Sequence, residues 1–191
     1  MKLSKRAWLG IAVGATVVVV CALAFVLLRA PRVLAVGDRA PAFTLQEAGS
    51  GALSFRDDHH VTLINFWATW CPPCVMEAPS LEKFSRRVEP LGVRVIGVSV
   101  DQDHAKLEQF LSGYGVTYTI LRDPDQTLAA RFGTHKFPET YIFDRNGRLA
   151  DKIIGATDWD DPQMIEFVQA LVHWPPAAST VPAATSGGGN W

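Results

Sequence analysis

Two cysteines stand either side of two prolines in Trp70-Cys71-Pro72-Pro73-Cys74. A C-x-x-C pair can exchange electrons as dithiol and disulfide, supply half of a zinc site, or, when histidine follows, attach haem covalently. Position 75 is valine, so haem attachment is excluded. A structural zinc site needs about four ligands, and no second Cys/His pair has suitable spacing. Redox exchange remains, with Cys71 as nucleophile and Cys74 as the thiol that resolves the mixed disulfide. The chain has 3 cysteines, too few for a disulfide scaffold. The third, Cys21, lies in an apolar run. Val20 precedes it where a lipid-attachment site wants a small residue, so it reads as an apolar anchor residue.

Local elements must bring these sulfurs to a reactive place. Val61, Leu63, Ile64, Phe66 and Trp67 form a near-continuous apolar run, the pattern of a strand covered on both faces. Downstream, Val75, Met76, Ala78, Leu81 and Phe84 recur at helical spacing. The strand therefore hands Cys71 to a helix N-terminus, where partial positive charge favours the thiolate. With Cys71 at the N-cap, Pro72 occupies the first helical position, where its missing N–H costs nothing. Pro73 removes the next donor and leaves the Cys74 amide as the nearest one for the Cys71 sulfur. Pro79 is expected to kink the helix. The reading requires two neighbouring thiols and a reachable Cys71.

Asn65-Phe66-Trp67-Ala68, the Trp70–Cys74 motif and the proline five residues past Cys74 together resemble the thioredoxin superfamily. More narrowly they are similar to the TlpA/ResA/CcmG branch of membrane-anchored thiol-disulfide oxidoreductases. The resemblance covers roughly Val36 to Trp174. It implies an α/β fold, a thioredoxin-like three-layer sandwich with a central mixed sheet, preceded by a single transmembrane helix. It also implies that Pro138 is a cis-proline facing the cysteine pair and exposing the backbone of Phe137 to a bound peptide. Phe137 is bulkier than the residue common there. Glu77, three residues after Cys74 on the same helix face, is implied to tune the pair: a nearby carboxylate raises a thiol pKa and can relay its proton. Asn65 takes the place of the buried aspartate of ordinary thioredoxins and cannot titrate. The catalytic set is thus Cys71, Cys74, Glu77 and Pro138, with Trp70, Pro72 and Phe137 meeting the substrate and Trp67 packing. His135 and Lys136 flank the proline loop, as thiolate partners or as solvated residues. Glu139 completes a Pro-Glu-Thr run similar to the CcmG-like branch.

The rest of the chain fits around this centre. Lys2, Lys5 and Arg6 precede the uncharged run from Trp8 to Leu28, and Arg29 and Arg32 follow it. About twenty apolar residues span a bilayer as a helix, and a cleaved signal peptide has a shorter apolar core. Residues 1–35 therefore read as a basic tip, cytoplasmic by the resemblance, and an uncleaved anchor in contact with lipid through residues 8–28. Basic residues on both sides leave the orientation open by charge. The resemblance places the domain of residues 36–174 outside the bacterial cytoplasmic membrane, facing the periplasm or cell exterior. Within it, strands are expected at 42–46, 52–55, 93–100, 118–121, 141–144 and 149–154. Asp103 caps a helix from His104, residues 126–132 form a short helix, and 162–173 a final one. The strand and helix at 118–132 resemble the TlpA/ResA insertion. Asp57-Asp58-His59-His60 reads as a solvated loop rather than a metal site. Residues 175–191 carry no charge and are rich in Pro, Ala, Ser, Thr and Gly, a disordered composition. The net charge of −1 gives no electrostatic case for nucleic acid.

Two prolines between the cysteines add neither charge nor amide donor, and Glu77 is anionic. The Cys71 thiolate should be only modestly stabilised and the pair comparatively reducing. The expected function is reduction of partner-protein disulfides, with apocytochrome c or a copper-site assembly protein as substrate. By resemblance a DsbD/CcdA-type membrane protein supplies the electrons. No cofactor or metal beyond the cysteine pair is expected. A disulfide-forming oxidase and a copper carrier using both thiolates are the alternatives.

Overall fold

In the computed structural model, residues 5–28, 33–56 and 59–174 are described. The expected tail at 175–191 and the acidic half of the 57–60 loop lie outside them. The chain divides into two units, residues 1–32 and 33–191.

The first unit contains helix α1, Lys5–Leu28. Its apolar residues are spread around the axis, and Val17, Val18, Val19, Val20, Leu23 and Phe25 are exposed. Among the described residues, no helix is long and apolar enough to cross a membrane. The expected span over 8–28 includes residues 9–13 and 26–28, whose side chains lie outside that description.

The second unit is built on a sheet whose strand order is β5-β4-β3-β6-β7. Its strands are β3 (Val61–Trp67), β4 (Val93–Ser99), β5 (Thr119–Arg122), β6 (Glu139–Phe143) and β7 (Leu149–Ile154). β3, β4 and β5 are parallel, whereas β6 and β7 run antiparallel, so the sheet is mixed as expected. Every residue of β3 is buried, which accounts for its unbroken apolar run at the centre of the sheet. β1 (Phe43–Gln46) and β2 (Ala52–Phe55) form a separate antiparallel hairpin.

Strand alternation sorts the core onto two faces. Ile64, Phe66, Tyr141 and Phe143 pack with Phe43, Phe55, Leu107, Leu128 and Phe132. These come from the hairpin, α3 (His104–Tyr114) and α4 (Thr127–Phe132). Val61, Leu63 and Ile142 pack instead with Leu81, Phe84, Trp159 and Val168, from α2 (Pro72–Val88), α5 (Pro162–His173) and the segment before it. The result is three layers, with helices on both faces of the sheet. α2 continues through Pro79 as one helix. Asp103 caps α3 by accepting from the Lys106 amide, and Asp161 caps α5 from the Gln163 amide.

Gly97 in β4 is required by close approach. A Cβ there would lie 2.6 Å from Ile120 Cδ1, 3.0 Å from Trp67 Nε1 and 3.1 Å from Tyr118 Cε2. Gly97→Ala overpacks this contact and is expected to cost about 1–3 kcal/mol. Thermal unfolding checks it, with Tm falling about 2–4 °C per kcal/mol. An unchanged Tm would mean that Trp67 and Ile120 are free to repack.

Candidate functional site

β3 ends at Trp67, and the chain turns through Ala68-Thr69-Trp70 into α2. Asp101, just past β4, holds this turn. It is 3 % exposed. Its carboxylate accepts from the Thr69 amide at 3.0 and 3.2 Å and from the Thr69 hydroxyl at 2.6 Å. The Ser99 hydroxyl donates to the same group at 2.7 Å. The turn is therefore fixed by charge-assisted bonds at the point where parallel strands end. Asp101 carries no sequence signal beyond its place after a strand.

Cys71 is the N-cap of α2, with Pro72 and Pro73 in its first turn, as the sequence reading expects. Cys71 and Cys74 form a disulfide with their Cα atoms 5.3 Å apart. No side chain caps the helix, so the expected bond from the Cys74 amide to the Cys71 sulfur is not made. In this oxidised state the sulfur carries no thiolate charge to attract a donor. The pair is also more covered than a freely reachable nucleophile: Cys71 keeps 5 % exposure and Cys74 2 %. Both belong to the main apolar cluster, and Cys71 is the outer of the two. Trp70 is 61 % and Met76 72 % exposed, and Pro72 is exposed as well, so an apolar rim surrounds the pair.

Phe137 and Pro138 approach from the start of β6. Their peptide bond is cis. The register that pairs Phe66 with Glu139 sets Pro138 at the end of β3, the end from which Cys71 emerges. The Phe137 ring is half-buried and meets Trp70 edge to face, with centroids 6.0 Å apart. The Pro138 carbonyl accepts from the Gly155 amide at 2.9 Å; among the described residues no backbone hydrogen bond engages Phe137. His135 and Lys136 are exposed.

Glu77 lies one turn beyond Cys74 and is 5 % exposed. Asn65 Nδ2 donates to its Oε1 at 3.0 Å and to the Thr140 hydroxyl at 2.9 Å. The Thr157 amide and Trp159 Nε1 donate to Oε2 at 3.1 and 3.4 Å. Burial pushes the Glu77 carboxyl above its ordinary range, while the bonds from Thr157, Asn65 and Trp159 pull the other way. Burial prevails, so this carboxyl takes up a proton at higher pH than a solvated one. Three N–H donors nevertheless hold it in the geometry of an acceptor. Thr157 and Trp159 lie far along the chain in no motif, and the sequence reading did not find them.

On the other face of β6, Glu139 is 3 % exposed and pairs with Lys152 of β7, Nζ to Oε1, at 2.6 Å. Burial alone would lower the Lys152 pKa; the bonds to Glu139 and Tyr141 outweigh it and raise the value. Among the described residues, no group of three or more metal-binding side chains is present.

Known proteins resemble this chain in sequence and fold. Residues 36–152 match the AhpC/TSA family. The thiol-disulfide oxidoreductase ResA of Geobacillus thermodenitrificans is 30% identical over 144 residues, covering 71% of this chain and 79% of its own. ResA of Bacillus subtilis is 25% identical over 158 residues, covering 80% and 88%. A crystal structure of a thioredoxin-family thiol:disulfide interchange protein from Chlorobium tepidum has the same fold, with a TM-score of 0.63 at 20% identity. It covers 71% of this chain and 98% of that one. The chain belongs to the AhpC/TSA family and is a thioredoxin-like thiol-disulfide oxidoreductase with a Cys71–Cys74 disulfide in its C-x-x-C motif.

Proposed function

We propose that this oxidoreductase works as a reductase of disulfides in partner proteins. The observation that carries this reading is a Cys71–Cys74 disulfide at the N-cap of α2 with Pro72 and Pro73, which bring neither charge nor amide donor, in the first turn. In the reduced protein the Cys71 thiolate attacks one sulfur of the partner's disulfide. A new S–S bond forms, and the partner's other sulfur leaves as a thiolate. Cys74 gives its proton to Glu77 and attacks Cys71 Sγ. This closes Cys71–Cys74 and releases the second partner thiolate, so two electrons pass from enzyme to partner. Trp70, Pro72 and Phe137 form the apolar surface that receives the polypeptide, and Pro138 places Phe137 beside the pair.

α1 is apolar around its circumference, which suits a lipid-embedded helix better than a soluble one. We read it as a single-pass anchor in the bacterial cytoplasmic membrane, with the catalytic unit facing the periplasm or cell exterior. There the pair requires no cofactor but needs a membrane electron donor of the DsbD/CcdA type. Its substrates are disulfide-bearing proteins such as apocytochrome c, whose C-x-x-C-H must be reduced before haem attachment, or copper-site assembly proteins.

Equilibration with glutathione or dithiothreitol buffers tests the direction of flow. With two prolines between the cysteines adding neither charge nor amide donor, the reduced form should be only weakly stabilised. The potential should lie well below that of strong periplasmic oxidants, about −120 mV. A value near −120 mV would assign the pair to disulfide formation.

A further inference from the structure

The Glu139–Lys152 ion pair has no assigned part in the sulfur chemistry, yet Glu139 directly follows Phe137-Pro138 in the chain. The Glu139 side chain is 4% exposed and that of Lys152 16%. The same ammonium lies 4.8 Å from the centroid of the Tyr141 ring. Tyr141 is directly opposite Lys152 in the β6–β7 ladder. Its hydroxyl donates to the Phe132 carbonyl at 3.0 Å and shares a hydrogen bond with the Thr134 hydroxyl at 2.9 Å.

These contacts bracket one loop. Residues 133–138 begin beside Phe132 and Thr134, both bound to Tyr141, and end at Glu139, bound to Lys152. A single cation therefore holds Glu139 at one end of the loop that carries Phe137 to Trp70 and is linked to the other end through Tyr141. Glu139 Oε2 is buried with no hydrogen-bond partner among the described residues. Lys152 is then the charge that keeps this carboxylate inside. A buried carboxylate deprived of its cation is strongly disfavoured and moves toward water. The residue before it in the chain is Pro138, so the loop moves with it.

We infer that Lys152 is a positioning residue for polypeptide substrates: by holding Glu139 and Tyr141 together it fixes the 133–138 loop against the disulfide. The inference rests on the reductase reading and concerns how a partner chain is held beside the sulfurs. Its consequence is selective. A protein disulfide needs the loop to receive the flanking polypeptide, whereas a small aromatic disulfide needs only the Cys71 thiolate.

The test uses the full chain with Lys152→Met and Lys152→Arg, with insulin as protein substrate and 5,5′-dithiobis(2-nitrobenzoate) as the small one. For Lys152→Met the KM for insulin should rise about tenfold with kcat within about twofold, since misplacement of a positioning group weakens productive docking. The rate with the small disulfide should hold within the same twofold range. Amide exchange should quicken at residues 133–137 and stay unchanged in α2. Lys152→Arg, which keeps the charge and the carboxylate bond, should restore both readouts. A folded Lys152→Met protein with unchanged loop exchange or an unchanged insulin KM overturns the inference. So does an equal loss on both substrates. Should Lys152→Met not fold, Lys152→Gln removes the cation while leaving the Glu139 carboxylate a polar neighbour, and is read in the same way. Wild-type protein unable to reduce insulin would instead refute the reductase reading, and loop exchange alone would then decide the role of Lys152.

Discussion

Cys71→Ser should reduce insulin no faster than the dithiothreitol background, a loss of at least about 10³-fold, as for other covalent nucleophiles. The reason is ionisation. A serine hydroxyl at this N-cap stays protonated at neutral pH, whereas a thiol there is readily converted to the attacking thiolate. The fold should tolerate the change. Cys71 sits at the rim of the apolar cluster, and serine is itself a favoured N-cap residue. The disulfide that is lost constrains only a short loop, so little stability goes with it. Turbidity of the precipitating insulin B chain measures the rate, and circular dichroism confirms the fold. Substantial residual reduction would mean that Cys74 attacks first, despite its lower exposure.

Glu77→Gln should slow reduction by about 10²-fold or more, the usual range for loss of a general base. It should also remove one limb of the pH profile. The wild-type rate should increase as pH rises through the elevated Glu77 pKa, because only the ionised carboxylate can accept the Cys74 proton. In Glu77→Gln that rise should be absent. Stability moves in the opposite sense. A carboxyl whose folded pKa exceeds its unfolded value is penalised above the folded value, where both states are ionised. The penalty is relieved as pH falls through the folded value toward the unfolded one. Glutamine retains a carbonyl for one of the Asn65 and Thr157–Trp159 donor sets but turns an amide N–H toward the other. Rate profiles and chemical denaturation over the same pH range separate the two effects. A parallel loss of rate at every pH, with the limb intact, would give Glu77 a structural role only.

Much of this site was legible in the chain because its signals are local. The apolar run of β3, the helical spacing after Cys74 and the two prolines together place Cys71 at the N-cap. Helix α5 spans the residues expected of it, 162–173, and Asp161 caps it in the structure. β6 begins at Glu139, two residues before the strand expected from the sequence, because pairing with β3 and β7 extends it to the cis-proline. What stayed hidden is long-range. Asp101 reaches back across 32 residues to Thr69, and Trp159 across 82 to Glu77. Neither side chain stands in a periodic pattern that points to its partner. Glu139 drew notice only as part of a short run, and Lys152 none, because their pairing exists only once β6 and β7 are side by side. Burial of the cysteines was likewise invisible, since coverage depends on the hairpin and helices that close over one face of the sheet.

The central claim is that Cys71 attacks and Cys74 resolves. Cys74→Ser decides it most directly: reduced, incubated with a disulfide-bearing protein, quenched with acid and examined by intact-mass spectrometry. The account predicts a stable adduct through Cys71, absent from Cys71→Ser and released by dithiothreitol. An adduct that forms through Cys74 in Cys71→Ser, with none in Cys74→Ser, would contradict it.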